Sequence, residues 1–84
     1  MKPELKLYTR KDCCLCDEMK VILSQVLRRV PLVVEEIDVD SSADLREQYG
    51  DEVPVLFVNG RKAFKYRVSA RALEKRLKSE SACL

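Results

Sequence analysis

An α/β fold with the element order β-α-β-α-β-β-α is predicted for these 84 residues, and three observations carry that expectation. A stretch of helical periodicity lies between a short alternating strand and a β-branched run, an order that makes a parallel crossover. The uninterrupted apolar run Val55-Leu56-Phe57-Val58 reads as a central strand covered on both faces. Asn59-Gly60 follows it directly and is a strong hairpin-turn signal. A parallel pair joined to a hairpin gives a mixed sheet of four strands.

Taken in order, Leu5-Lys6-Leu7-Tyr8-Thr9 alternates as a strand. From about Cys13 to Arg29, Cys16, Met19, Ile22, Leu23, Val26, Leu27 and Val30 recur at three- and four-residue spacing, one apolar stripe of a helix. Asp12 is the expected cap, Asp17 and Glu18 favour the first turn, Arg28 and Arg29 suit the last, and Pro31 stops continuation. Leu32 to Val39 is a second strand, with Val33, Ile37 and Val39 on one side against Glu36, Asp38 and Asp40. Ser41-Ser42-Ala43-Asp44 matches a capping box, and Leu45 with Tyr49 forms an i,i+4 apolar pair, so a short helix spans about 42 to 49 and ends at Gly50. After the hairpin, a strand over about Lys62 to Tyr66 alternates Phe64 and Tyr66 with Ala63 and Lys65. Ser69 then caps a final helix carrying Leu73 and Leu77.

Eighty-four residues make one domain, 1–84, with a single modest core and no room for a separate substrate domain. A composition 46% hydrophobic and 36% charged, with two glycines, fits a folded chain rather than a disordered one. No run has signal-peptide or membrane-spanning length, so a cytoplasmic protein without a membrane partner is expected. The net charge of +2 is too small to argue for nucleic acid. Its distribution is uneven: residues 1–60 hold 8 basic and 12 acidic side chains, and residues 61–84 hold 8 and 2. The basic last third reads as a solvated face or as a docking surface for an acidic partner.

Three of the four cysteines fall within Cys13-Cys14-Leu15-Cys16, a poor framework for stapling distant segments. The Cys13–Cys16 pair sits where the first strand gives way to the first helix. There a helix N-terminus favours a thiolate at the first sulfur, and the second, at i+3, lies on nearly the same face within reach of a disulfide. Thiol–disulfide chemistry is the leading reading. Arg10 or Lys11 adds to the activation of Cys13 from an ordinary thiol pKa of about 8.5 toward the upper end of the roughly 3.5 to 7.5 range, against the opposing charges of Asp12, Asp17 and Glu18. Cys14 and Cys16 point apart on a helix; Cys14 is a small space-filling residue or an auxiliary thiol, and Cys83 is expected to be a free thiol near the chain end.

The element order, the Cys-x-x-Cys at the first helix and a proline opening the third strand together resemble the thioredoxin fold in its minimal glutaredoxin form, over nearly the whole chain. Leu7-Tyr8-Thr9-Arg10-Lys11-Asp12-Cys13-Cys14-Leu15-Cys16 is similar to the glutaredoxin active-site stretch, Val53-Pro54 to that family's cis-proline loop, and Val58-Asn59-Gly60 to its hairpin. Leu15-Cys16-Asp17-Glu18 and Tyr49-Gly50 ahead of Val53-Pro54-Val55 are similar to a branch of small glutaredoxin-like proteins. Cys14 and Leu15 replace the usual Pro-Tyr, and Glu52 stands where glutaredoxins tend to have threonine. The glutathione-holding Gly-Gly-x-x-Asp segment is replaced by Lys62-Ala63-Phe64-Lys65-Tyr66-Arg67 after Arg61. Thioredoxin's Trp-Cys-Gly-Pro-Cys and its buried first-strand carboxylate are also missing, with Leu7 near the latter's place.

The resemblance implies helices on both faces of the sheet, Cys13 as nucleophile and Cys16 as resolving thiol. It implies a cis Pro54 that turns the Val53 backbone toward Cys13 to meet a substrate, with Arg10 and Lys11 in recognition. It implies a monomer that acts on disulfide-containing proteins or glutathione mixed disulfides. No bound cofactor is expected, electrons coming from glutathione or a reductase. Two other readings stay open: metal or iron–sulfur binding through Cys13, Cys14, Cys16 and Cys83, which lacks a second ligand pair at suitable spacing, and a redox-silent interaction module using the basic C-terminal face.

Overall fold

Seven elements form in the order the sequence predicts, in a computed structural model that describes residues 3–82. They are β1 (Glu4–Thr9), α1 (Cys14–Leu27), β2 (Val33–Asp38), α2 (Ala43–Tyr49), β3 (Val55–Val58), β4 (Arg61–Lys65) and α3 (Ala70–Ala82), with a 3₁₀ turn at Val39–Ser41 before α2. The sheet order is β2-β1-β3-β4: β1 pairs parallel with β2 and antiparallel with β3, and β3 pairs antiparallel with β4 across an irregularity at Leu56/Phe57. Cys83 lies outside the described residues.

Alternation along β1 buries Leu5, Leu7 and Thr9 and leaves Glu4 and Lys6 exposed. The buried set joins Leu56 and Val58 of β3, the α1 stripe of Met19, Leu23 and Val26, and Leu73 and Leu77 of α3 in one core. Each fully buried leucine contributes about 1.5–3 kcal/mol relative to exposure, and the helical and strand periods meet because both present apolar groups to the same face. On the opposite face α2 sets Tyr49 against Tyr8 and Phe57, ring centroids 4.7 and 5.9 Å away. Gly50 closes α2 with right-handed φ; a Cβ there would stand 2.5 Å from the Arg46 carbonyl oxygen, so close approach is what requires glycine.

Several local expectations are corrected. Asp12 does not cap α1: its φ is 58°, and the side chain of Cys13 takes the cap. The helix stops at Leu27, so Arg28 and Arg29 lie in the turn that follows, where the Arg29 and Val30 N–H groups donate to the Val26 carbonyl. The capping box starting at Ser41 does not form: Ser41 ends the 3₁₀ turn with its Oγ donating to the Asp38 carbonyl, and Ser42 precedes α2 without a side-chain cap bond. Val33 is 51% exposed, since β2 is the edge of the sheet, where Val34 is also exposed. Tyr66 falls just past β4 with φ 68°. Ser69 does cap α3, accepting from the Ala72 N–H at 3.1 Å.

Candidate functional site

Strand register gathers the site. Tyr8 lies opposite Val55 and Val55 opposite Lys65, so the segment after β1, the segment before β3 and the segment after β4 all emerge at one end of the sheet. They carry Arg10 to Cys13, Val53 with Pro54, and Tyr66 with Arg67. The Val53–Pro54 peptide is cis, and the Pro54 carbonyl accepts the Tyr66 N–H at 2.8 Å, tying two of the three segments together. Glu52, next to this loop, binds Lys65 and Lys62, each at 3.3 Å, and those two ammonium groups hold its carboxyl below the usual range.

The helix N-terminus leaves orphan N–H groups, and a sulfur meets one of them. Cys13 is extended (φ −105°, ψ 108°), and its Sγ accepts the Cys16 N–H at 3.2 Å. That bond sets the two cysteines of the pair against each other across the first turn of α1. Their surroundings differ. Cys13 is half-buried, Cys14 beside it is exposed, and Cys16 is 1% exposed; all three are free thiols. Burial, then the hydrogen bond to Cys13, pushes the Cys16 thiol up to about 12, against the Arg10 backbone and the Lys20 charge.

The remaining site residues divide. Lys11 is exposed at the loop tip, whereas Arg10 is engaged by Asp40 at 3.1 Å, a carboxylate that also takes Arg46 at 3.3 Å. Val53 is half-buried and Pro54 buried. Among the described residues no cluster of three or more histidine, cysteine, aspartate or glutamate side chains is arranged to hold a metal ion. No helix of the described residues is long and apolar enough to cross a membrane. An apolar groove of about 380 Å³ runs between α1 and the segment after β4, lined by Met19, Val21, Ile22, Tyr66 and Val68 with Arg67 at its side.

Sequence reasoning missed one pair near the cysteines. Lys20 of α1 meets Glu36 of β2 at 2.7 Å, and Glu36 also accepts a long hydrogen bond from Thr9 Oγ1 at 3.5 Å. Only the parallel register, which sets Glu36 beside Leu7, reveals it. The i,i+4 spacing of Cys16 and Lys20 was the one signal available in the chain itself.

A mixed sheet in this order with a Cys-x-x-Cys at the first helix defines a thioredoxin-fold protein. Chloroplastic thioredoxin z superposes with a TM-score of 0.80 over 96% of this chain and 80% of that one at 16% identity, a likeness of fold. The model of the family described as Glutaredoxin-like domain (DUF836) matches residues 4–78, and the chain belongs to that family. A protein of X. campestris solved by X-ray crystallography is 34% identical, with a TM-score of 0.76 over 89% of this chain and 96% of that one. An uncharacterised protein of Mycobacterium tuberculosis is 29% identical over 77 residues, 86% of this chain and 79% of its own length.

Proposed function

We propose that the chain is a thiol–disulfide oxidoreductase that reduces disulfide-containing proteins or glutathione mixed disulfides by cycling Cys13 and Cys16. The observation that carries this reading is the inequality of the two sulfurs: a reachable Cys13 at the helix cap, accepting an N–H, above a Cys16 sealed from solvent. The Cys13 thiolate attacks a substrate disulfide; a Cys13–substrate S–S bond forms and the other substrate sulfur leaves as a thiolate. Cys16 then attacks Cys13 Sγ, closing the Cys13–Cys16 disulfide and releasing the second substrate sulfur as a thiol. Glutathione or a reductase restores the dithiol, and a reducing cytoplasm suits such a cycle.

The neighbouring loops support a polypeptide substrate. Among the described residues no backbone group bonds to that of Val53, which leaves it for a strand-like contact with a substrate chain beside the cis Pro54. The apolar groove next to Tyr66 extends that surface, with Arg67 and Glu18 as the charged residues of its lining. Replacing Cys16 by serine removes the resolving step, so Cys16→Ser, in a Cys14→Ser background, is expected to accumulate a covalent adduct on Cys13 from a disulfide-bonded model protein. Failure to recover the adduct under non-reducing electrophoresis, with Cys13 shown to be alkylable, overturns this division of roles.

A further inference from the structure

The resolving step poses an electrostatic problem. Cys16 must become a thiolate to attack, yet it is 1% exposed and held protonated to about 12 by burial and by its contact with Cys13. The usual remedy, a nearby base out of solvent, is missing: the buried polar side chain among the described residues is that of Thr9. What lies near instead is a cation. Lys20 follows Cys16 by one turn of α1, a spacing that places the two Cβ atoms about 5–6 Å apart. Its Nζ is fixed by Glu36 across the α1–β2 crossover at 2.7 Å.

Resting on the oxidoreductase reading above, we propose that Lys20, held in place by Glu36, is a positioning residue for the resolving step: its ammonium is the charge against which the buried Cys16 becomes a thiolate.

The groups around Cys16 act in opposite directions, and the Glu36 carboxylate that holds Lys20 offsets part of its charge. Cys13, on the same helix start, disfavours a negative charge on Cys16 while it is itself a thiolate, and the Lys20 charge favours one. Glu36, then Asp17, hold the Lys20 amine above its ordinary range, so it remains an ammonium throughout the cycle. When Cys13 enters a mixed disulfide its own charge disappears while that of Lys20 persists, so ionisation of Cys16 becomes easiest when it is needed. The Cys16 S–H bond then loses its proton, the Cys16–Cys13 bond forms, and the Cys13–substrate bond breaks. The departing substrate sulfur takes up the proton. Two cysteine sulfurs are oxidised, the substrate disulfide is reduced, and Lys20 keeps its proton.

The steps separate with the chromogenic disulfide DTNB in the full chain carrying Cys14→Ser and Cys83→Ser. Attack by Cys13 releases one thionitrobenzoate, and resolution by Cys16 releases a second. In Lys20→Met the second phase is expected to slow on the order of tenfold, the change in thiolate fraction that one pKa unit makes, and its pH profile to move alkaline. The first phase should keep its rate, and Lys20→Arg should restore the second. A second phase in Lys20→Met as fast as in the parent overturns the proposal, as does Lys20→Arg slowed like Lys20→Met, or both phases slowed together with a lower melting temperature. A parent that never releases the second thionitrobenzoate removes the resolving role of Cys16 itself, and this proposal with it; that result is distinct from a parent with two phases and an indifferent Lys20.

Discussion

The two ends of the sheet are built to opposite ends. At the hairpin end the backbone is tied off: Asn59 N–H donates to the Glu4 carbonyl at 2.8 Å, Glu4 N–H to Asn59 Oδ1 at 2.9 Å, and Val33 N–H to the Pro3 carbonyl at 3.0 Å. Asn59 and Gly60 adopt φ values of 50° and 83°, the left-handed pair a tight two-residue turn demands and residues of this type supply. At the cysteine end, Tyr66 occupies the same left-handed region without the tolerance that asparagine, aspartate or glycine has for it, and among the described residues no backbone group bonds to that of Val53. Backbone bonding is concentrated at one end, and left-handed strain and unpaired backbone at the other, the end at which the proposed substrate would be met.

The comparison breaks most visibly at Pro54. Pro54→Ala is expected to lower kcat/KM on a disulfide substrate by up to about a hundredfold, the loss that a small misplacement at a reacting centre can bring, while alkylation of Cys13 keeps its rate. Turnover equal to the parent would mean that this loop takes no part in substrate binding. At the other end, Gly60→Ala forces a side chain into left-handed backbone and should cost about 1–2 kcal/mol in urea denaturation, with kcat/KM unchanged. A parallel fall in turnover would show that the two ends are not independent.

The smallest effect is one of pH. Burial pushes the Cys16 thiol up to about 12, well above the ordinary thiol range of about 8.5 to 9, so the folded state binds this proton more tightly. Its contribution to stability is fully present below pH 9 and is lost as pH rises from 9 toward 12, because the unfolded chain gives up the proton first. Lysines and tyrosines titrate in the same window, so the comparison is with Cys16→Ala. The parent's melting temperature should fall more steeply than the variant's above pH 9, and parallel curves would contradict the high pKa.

Periodicity was enough to read most of the scaffold. The α1 stripe was visible because Cys16, Met19, Leu23 and Val26 all serve one dry face, and the Asn59-Gly60 turn because its backbone admits few residue types. The cap of α1 was not visible, since a sulfur displaced the more usual carboxylate once Asp12 turned left-handed. Nor was the exposure of Val33, which depends on strand order rather than on any local signal. At the site the cysteines and Pro54 stood out by type and position. The engagement of Arg10 by Asp40, 30 residues away, and of Lys20 by Glu36 exists only after the chain has folded back.

The open edge at β2 has a consequence for the chain's behaviour in a crowded solution. Unpaired backbone flanked by Val33 and Val34 invites a second copy to extend the sheet. An antiparallel copy related by a two-fold axis through the middle of this strand would set Glu35 against its own counterpart, or Glu36 against its own, and both residues are exposed. Like charges directly opposite are destabilising, so the two glutamates, of which Glu36 also holds Lys20, disfavour the pairing that the apolar side chains of Val33 and Val34 would favour.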